Sequence, residues 1–214
     1  MLAGAAPVRS FIAIELGDPV RSAVREYLDG LRTALSGVAW TRPGNLHLTL
    51  KFLGAAEPSR LEAVAERMLV IARVQAPFTM TVAGVGAFPS VLHPRVLWVR
   101  VSAAALAGLA VEVDRACVAE GFPPETRSFH SHVTLGRVRQ PTRHAGSRKR
   151  GRSSEHGDVG AIAARLASDG SREFGNCQAE AIVLFRSDLH PEGARYTPLR
   201  VVTFTGQSPV GGDG

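Results

Sequence analysis

Ser10–Leu16 (SFIAIEL) is an apolar run closed by Gly17-Asp18-Pro19, and it reads as an opening β-strand. Asp18-Pro19 marks a helix start, a capping aspartate followed by proline at the first helical position. The apolar positions of VRSAVREYLDGLRTAL carry that helix onward. Residues 38–40 and 45–53 read as strands around an Arg42-Pro43-Gly44 turn. Glu57 to about Val74 is a second amphipathic helix with Leu61, Val64, Ala65 and Met68 on one face. Residues 77–87 and 95–101 follow as strands joined through Pro89 and His93-Pro94, which makes His93 a loop residue. A third helix spans about Ala103–Glu120 and stops at Gly121. After Pro123-Pro124 comes a strand at about 129–138. A short helix is expected at about 158–168, and then two strands, 174–187 and 195–205, joined by an Asp188–Gly193 turn. Strands outnumber helices and several follow one another directly. That predicts an α+β fold of antiparallel sheets with helices on one face.

Two segments fall outside this pattern. The stretch from Gln140 to Asp158 is rich in Gly, Ser, Arg and Lys with almost no large apolar residue. It cannot bury enough surface to order itself and is expected as a flexible basic loop at about 140–157. Residues 207–214 are expected to form a disordered, glycine-rich tail, which leaves 1–206 as a single domain.

One phrase occurs twice within the strands: His47-Leu48-Thr49-Leu50 and His132-Val133-Thr134-Leu135. On a strand, residues i and i+2 share a face. His47 therefore shares a face with Thr49, and His132 with Thr134. If the chain folds the two copies against each other, one cleft holds two imidazoles and two hydroxyls.

The 214 residues carry a formal charge of +6, which favours a polyanionic partner such as nucleic acid. The excess is concentrated between Arg137 and Arg152, and the rest of the chain is near neutral. Cys117 and Cys177 form neither a disulfide framework nor a zinc motif, and Cys117 is expected to be buried and inert. No apolar run is long enough to span a bilayer and residues 1–10 lack the features of a signal peptide, so a cytoplasmic protein with no membrane partner is expected.

Two histidines can divide acid–base work at neutral pH: a neutral ring takes a proton from an attacking hydroxyl, and a protonated ring gives one to a leaving alkoxide. Threonine hydroxyls can hold non-bridging phosphate oxygens, where charge grows in the transition state. This chemistry asks for no cofactor and no metal. His130 and His132 share a strand face but have no carboxylate nearby in the sequence, which is poor ligand geometry.

The residues around both phrases carry a resemblance. Asn45-Leu46-His47-Leu48-Thr49-Leu50-Lys51-Phe52-Leu53-Gly54 resembles the first motif of the 2H phosphoesterase superfamily, and Phe129-His130-Ser131-His132-Val133-Thr134-Leu135-Gly136-Arg137 the second. Within it the chain is most similar to the bacterial and archaeal RNA 2′,3′-cyclic phosphodiesterases, formerly called 2′-5′ RNA ligases. Arg9–Ile14, Phe88-Pro89, Pro94–Val99 and Gly193–Tyr196 agree in order. The resemblance implies a bilobal domain with the two motifs facing across a central groove. It implies hydrolysis of a terminal RNA 2′,3′-cyclic phosphate to a 2′-phosphomonoester, with tRNA fragments among candidate substrates and 2′-5′ sealing as a side activity. It assigns proton donation to the departing 3′ oxygen to His47, activation of water to His132, and the phosphate to Thr49 and Thr134. Arg137 matches a family arginine close to the phosphate. Alternation would put it on the face opposite His132, and Gly136 would have to permit a twist or bulge. Lys51, on the His47 face by alternation, is a second cation, and Phe11 and Phe129 are candidates to stack a base.

Where the family has proline before the second histidine and before its phenylalanine, this chain has Ser131 and Ser128. The basic 140–157 stretch is longer than the usual connection. A monomer is expected. The same centre would also serve small cyclic nucleotides or 2′-5′ oligonucleotides, and a non-catalytic module that holds RNA ends is the alternative of a different kind.

Overall fold

A computed structural model describes residues 6–139 and 158–207. The basic stretch at 140–157 and the tail from 208 onward lie outside the described residues. Within them the chain runs β1 (Val8–Glu15), α1 (Asp18–Ala34), β2 (Val38–Trp40), β3 (His47–Ala56), α2 (Pro58–Val74), β4 (Phe78–Ser90), β5 (His93–Ser102), α3 (Ala105–Ala119), β6 (His132–Val138), α4 (Val159–Ser168), β7 (Glu173–Ala179), β8 (Ala181–Asp188) and β9 (Arg195–Thr203). A single 3₁₀ turn, Pro43–Asn45, links β2 to β3.

Every strand pairing is antiparallel, and one sheet runs β7-β4-β5-β6-β3-β1-β8-β9, with β2 on β6. The fold is therefore α+β, as expected. The two motif strands, β3 and β6, lie side by side at the centre of that order. On either side the order repeats in kind: β5 and β1 flank the pair, then β4 and β8, then β7 and β9 at the edges. β7 and β8 stand in opposite halves of the sheet yet are separated in sequence only by Glu180. Phe78 of β4 also stacks on Phe204 just beyond β9, with ring centroids 6.0 Å apart. The sheet therefore curls until its two ends approach.

This curl corrects the expected single strand at 174–187. β7 buries Phe174, Cys177 and Ala179 and leaves its other positions exposed, as suits a strand with one open face. β8 has a continuous buried run, Ile182–Phe185, because Ile182 and Leu184 face the main core while Val183 and Phe185 are covered by a second cluster on the opposite face. Two further boundaries shift. Asp18 is the first residue of α1 rather than its cap; Gly17 takes that place and Asp18 pairs with Arg21. His93 opens β5, opposite Ser90 in a tight hairpin, rather than lying in a loop.

The sheet has two unlike faces. One packs against the helices in a core that includes Ile12, Ile14, Leu48, Leu97, Val133 and Leu135, with Val24, Leu28, Val64, Leu109 and Ile162 from α1 to α4. The other carries a small cluster, Phe11, Ala13, Val183 and Phe185, with Tyr196 against it. Cys117 and Cys177 are both buried, and burial pushes the Cys117 thiol up to about 12, so it stays protonated. No helix among the described residues is long and apolar enough to cross a membrane.

Candidate active site

β3 and β6 meet through one registered pair, Leu48 opposite Val133, both fully buried on the helix-bearing face. One residue further each way, this antiparallel register sets His47 opposite Thr134 and Thr49 opposite His132, all on the other face. The expected meeting of the two phrases is present. His47, Thr49 and Thr134 line one cavity of about 360 Å³, and His132 lines a neighbouring one of about 380 Å³.

Both motif strands carry a β-bulge at the same place. Thr49 opposes Ala13 and Lys51 opposes Ile12, which leaves Leu50 as the extra residue. Thr134 opposes Trp98 and Gly136 opposes Leu97, which leaves Leu135 extra. In each copy the bulge falls three residues after the histidine and inverts the alternation beyond it. The fifth residue after each histidine, Phe52 and Arg137, therefore turns to the histidine's face and lines the first cavity. Arg137 is thereby brought beside the site, through the bulge its position required. The fourth residue turns away. Gly136 is glycine because a Cβ there would come within 2.7 Å of Val38 and 2.9 Å of Trp40 on β2.

Lys51 is the counterpart of Gly136 and corrects the alternation that put it on the His47 face. It is 4% exposed on the helix side, where its ammonium donates to Asp114 at 2.5 Å and to the Pro123 carbonyl at 2.7 Å. It ties β3 to α3 and to the segment leading into β6, and it does not reach the groove.

The imidazoles are anchored alike. His47 Nδ1 donates to the Asn45 carbonyl at 2.7 Å, and His132 Nδ1 to the His130 carbonyl at 2.6 Å. A carbonyl only accepts, so Nδ1 holds the proton and Nε2 of the neutral ring is bare. His47 Nε2 lies 3.0 Å from the Thr49 hydroxyl, which can donate to it. Burial pushes His47 down to about 4, against the pull of the Asn45 carbonyl, and nearby His132 lowers it further. His132 is also lowered, first by burial and then by the His130 ring and Arg137, with the His130 carbonyl opposing. Both rings of the substrate-free protein are thus neutral at pH 7.

The two aromatic candidates part company. Phe11 is 3% exposed and packs against His47, at 4.8 Å and 28°, against Phe185, at 5.2 Å and 18°, and against Tyr196 edge-on. It has no free face for a base, and it supports the His47 ring instead. Phe129 packs against the main core and lines the second cavity with Phe88, Trp98 and His132. Ser131, in place of the family proline, donates its hydroxyl to the Val101 carbonyl at 2.6 Å, so the start of β6 is tied down by a bond that proline could not make.

Four residues lie at the site without having been singled out. Arg42 and Asn45 clamp the β8–β9 connection, donating to the carbonyls of Glu192 and Ala194 at 2.7 and 2.8 Å. Asn45 thus holds that wall with its side chain and His47 with its backbone. Arg9 lines the first cavity with no carboxylate partner among the described residues. Phe52 stands 63% exposed on the groove face. The bulge that exposes Phe52 leaves no mark in the hydrophobic pattern; the Asn45 contacts join residues about 150 apart. Among the described residues no three His, Cys, Asp or Glu side chains form a metal-ligating group.

Known proteins share this architecture. Residues 14–98 match the family described as LigT like phosphoesterase. An RNA 2′,3′-cyclic phosphodiesterase of Methanothermobacter thermautotrophicus is 31% identical over 195 residues, 91% of this chain and 97% of that protein. One of Archaeoglobus fulgidus is 32% identical over 195 residues, 91% and 99% of the two chains. The crystal structure of TT0787 from Thermus thermophilus superposes with a TM-score of 0.73 at 27% identity, covering 94% of this chain and all of that one. With identity above 30% across nearly the whole of two such relatives, this chain belongs to the LigT-like phosphoesterases of the 2H superfamily.

Proposed function

We propose that the protein opens the 2′,3′-cyclic phosphate at an RNA 3′ end to a 2′-phosphomonoester, by acid–base catalysis between its two histidines and without a metal. The observation that carries this reading is the crossed register of the motifs. Each imidazole lies across from the other motif's threonine, with Nδ1 anchored on a carbonyl and Nε2 bare. A phosphate between the strands would have a proton carrier on either side and hydroxyls for its non-bridging oxygens. Arg137 supplies positive charge where the pentavalent phosphorus gathers negative charge.

His132 Nε2 takes a proton from water as the water oxygen bonds to phosphorus. The bond from phosphorus to O3′ breaks, and His47 Nε2 returns a proton to O3′. Each transfer is typically worth about a hundred- to ten-thousand-fold in rate. His47 must be protonated for this, and its burial disfavours that charge in the free protein. The bound phosphate anion beside it supplies the opposite charge and raises its pKa. The names of the relatives support RNA, as do Arg9 and Arg137 along the groove, neither of which has a carboxylate partner among the described residues.

The test is a short RNA ending in a 2′,3′-cyclic phosphate, incubated with EDTA, with its product terminus analysed. A 2′-phosphate is expected. A 3′-phosphate would require the reverse orientation in the groove, and an untouched cyclic end would overturn the reading. The cavity beside His132 favours one second reading, with a 5′-hydroxyl RNA end taking the place of water to give a 2′-5′ linkage. A joined product from added 5′-hydroxyl RNA tests it.

A further inference from the structure

We propose that Arg100 holds the phosphate joining the terminal nucleoside to the rest of the RNA, an assignment that rests on the function proposed above. β5 pairs with β6 as β1 pairs with β3, so each histidine has one direct neighbour on the flanking strand. Arg100 stands opposite His132, and Glu15 stands opposite His47. Directly opposed residues share a face and lie about 5 Å apart at the backbone. Leu97, Val99 and Val101 belong to the main core, so alternation turns Trp98 and Arg100 to the groove. Ile14 belongs to that core as well, which turns Glu15 the same way as Arg100. Two equivalent positions, both exposed, therefore carry opposite charge. A phosphate beside His47 would meet a carboxylate; beside His132 it meets a guanidinium.

Arg100 lines the cavity of about 380 Å³ beside His132, whose lining includes no acidic residue. Among the described residues its guanidinium has no carboxylate partner. The other polar groups of that cavity are already engaged. Ser131 donates to the Val101 carbonyl, Ser102 to that of Thr81, and His132 Nδ1 to that of His130. Arg100 and the His130 ring are the donors left for an anion. Arg137 serves the reacting phosphate from the first cavity. Arg9 stands opposite Ala55, eight residues along β3 from His47. The next phosphate of an RNA chain is only one ribose from the cyclic one, and Arg100, adjoining His132, is the cation at that range. A lone cyclic nucleotide has nothing to offer Arg100. The same residue would thus favour RNA ends over small cyclic nucleotides at one catalytic centre.

Two probes test this. Adenosine 2′,3′-cyclic phosphate and its 5′-(methyl phosphate) carry the same base and reacting group, and only the second has a phosphodiester where the chain would continue. The ratio of their kcat/KM values measures what that phosphate contributes. In the wild-type protein the ratio should be about ten, as for one charge-assisted hydrogen bond at an exposed site. It should fall with salt, with a log–log slope of about −0.7 for one contact to a single strand. Arg100→Gln is expected to bring the ratio close to one and to abolish its salt dependence. Arg100→Lys keeps the charge and should keep the salt slope. Because the ratio compares two substrates on one protein, a general loss of folded protein cancels. An unchanged ratio in Arg100→Gln overturns the assignment, and so does an Arg100→Lys variant without the salt slope. Loss of the ratio in Arg9→Gln alone would put the phosphate in the first cavity, which also overturns it. If the wild-type protein opens neither probe nor cyclic-ended RNA, the proposed function fails and takes Arg100 with it. Equal turnover of both probes removes the role of Arg100 alone.

Discussion

β3 and β6 are two versions of one device. Each begins with a histidine held by the carbonyl two residues before it, and each bulges three residues later. The backbone does the same thing twice, and the side chains put it to different uses. Around His47 the strand is closed in: Phe11 stacks on the ring, Thr49 reaches Nε2, and Lys51 locks the helix side. Around His132 it is more open, with Phe88 meeting the ring edge-on at 5.0 Å and Arg137 turned into the groove. Burial disfavours charge on both rings, and the difference in their surroundings is what would let two chemically identical groups take the different roles proposed for them.

The largest effect should come from removing either ring. His47→Ala and His132→Ala are each expected to slow ring opening by about a hundred- to ten-thousand-fold. The double variant should lose little beyond the worse single one, because the two transfers serve one displacement. Losses that simply add would mean two independent contributions and would break the pairing. A substrate with sulfur in place of the 3′ oxygen sharpens the comparison, because a thiolate leaves without needing a proton. It should rescue His47→Ala and leave His132→Ala slow. The opposite rescue would exchange the acid and base.

The fourth residue after each histidine gives a second contrast. Lys51→Met leaves the Asp114 carboxylate without its cation in a partly buried place. A loss of about 3 kcal/mol in urea unfolding is expected, the low end for a broken buried pair because Asp114 keeps a quarter of its surface. Adding Asp114→Leu should recover most of it, since no charge is then buried alone. If Lys51→Met instead left stability intact and raised KM, Lys51 would be a substrate contact and the two faces of β3 would have been exchanged.

These contrasts mark how far the chain can be read from its sequence. The helices, the strands around them and the His-x-Thr phrases were legible because each rests on local periodicity or on a repeated phrase. Lys51 was not, because a bulge shifts the pleat by one residue without altering the apolar pattern: Leu50, Lys51 and Leu53 all end on the core side. Arg137 posed the same problem, and Gly136 was the cue there, since only a residue without a side chain fits against Val38 and Trp40. β3 has no such glycine at the equivalent position. The break at Glu180 was half visible. Residues 173–179 mix buried and exposed positions whereas 181–185 run continuously apolar, which are the patterns of a strand with one open face and of one covered on both. Their separation to opposite halves follows from the curl of the whole sheet, which no local window contains.

The smallest expected effect, a shift in pH optimum, tests the difference between the two rings most directly. The productive protein holds one proton between His47 and His132, and that state is most populated midway between their pKa values. Burial lowers both from the ordinary 6.5, His47 to about 4. Since kcat/KM reports the free protein, its optimum should fall on the acid side of 6.5. Above the optimum the rate falls as the last proton leaves; below it, as the second ring is charged. The cyclic diester keeps its single negative charge throughout this range. Bound against the rings, it favours their protonated forms, so the optimum of kcat should lie above that of kcat/KM. Coincident optima would mean that the phosphate does not sit between the imidazoles. A kcat/KM optimum at or above 6.5 would mean that water reaches both rings in the free protein, and the closed and open versions of the strand would differ in shape alone.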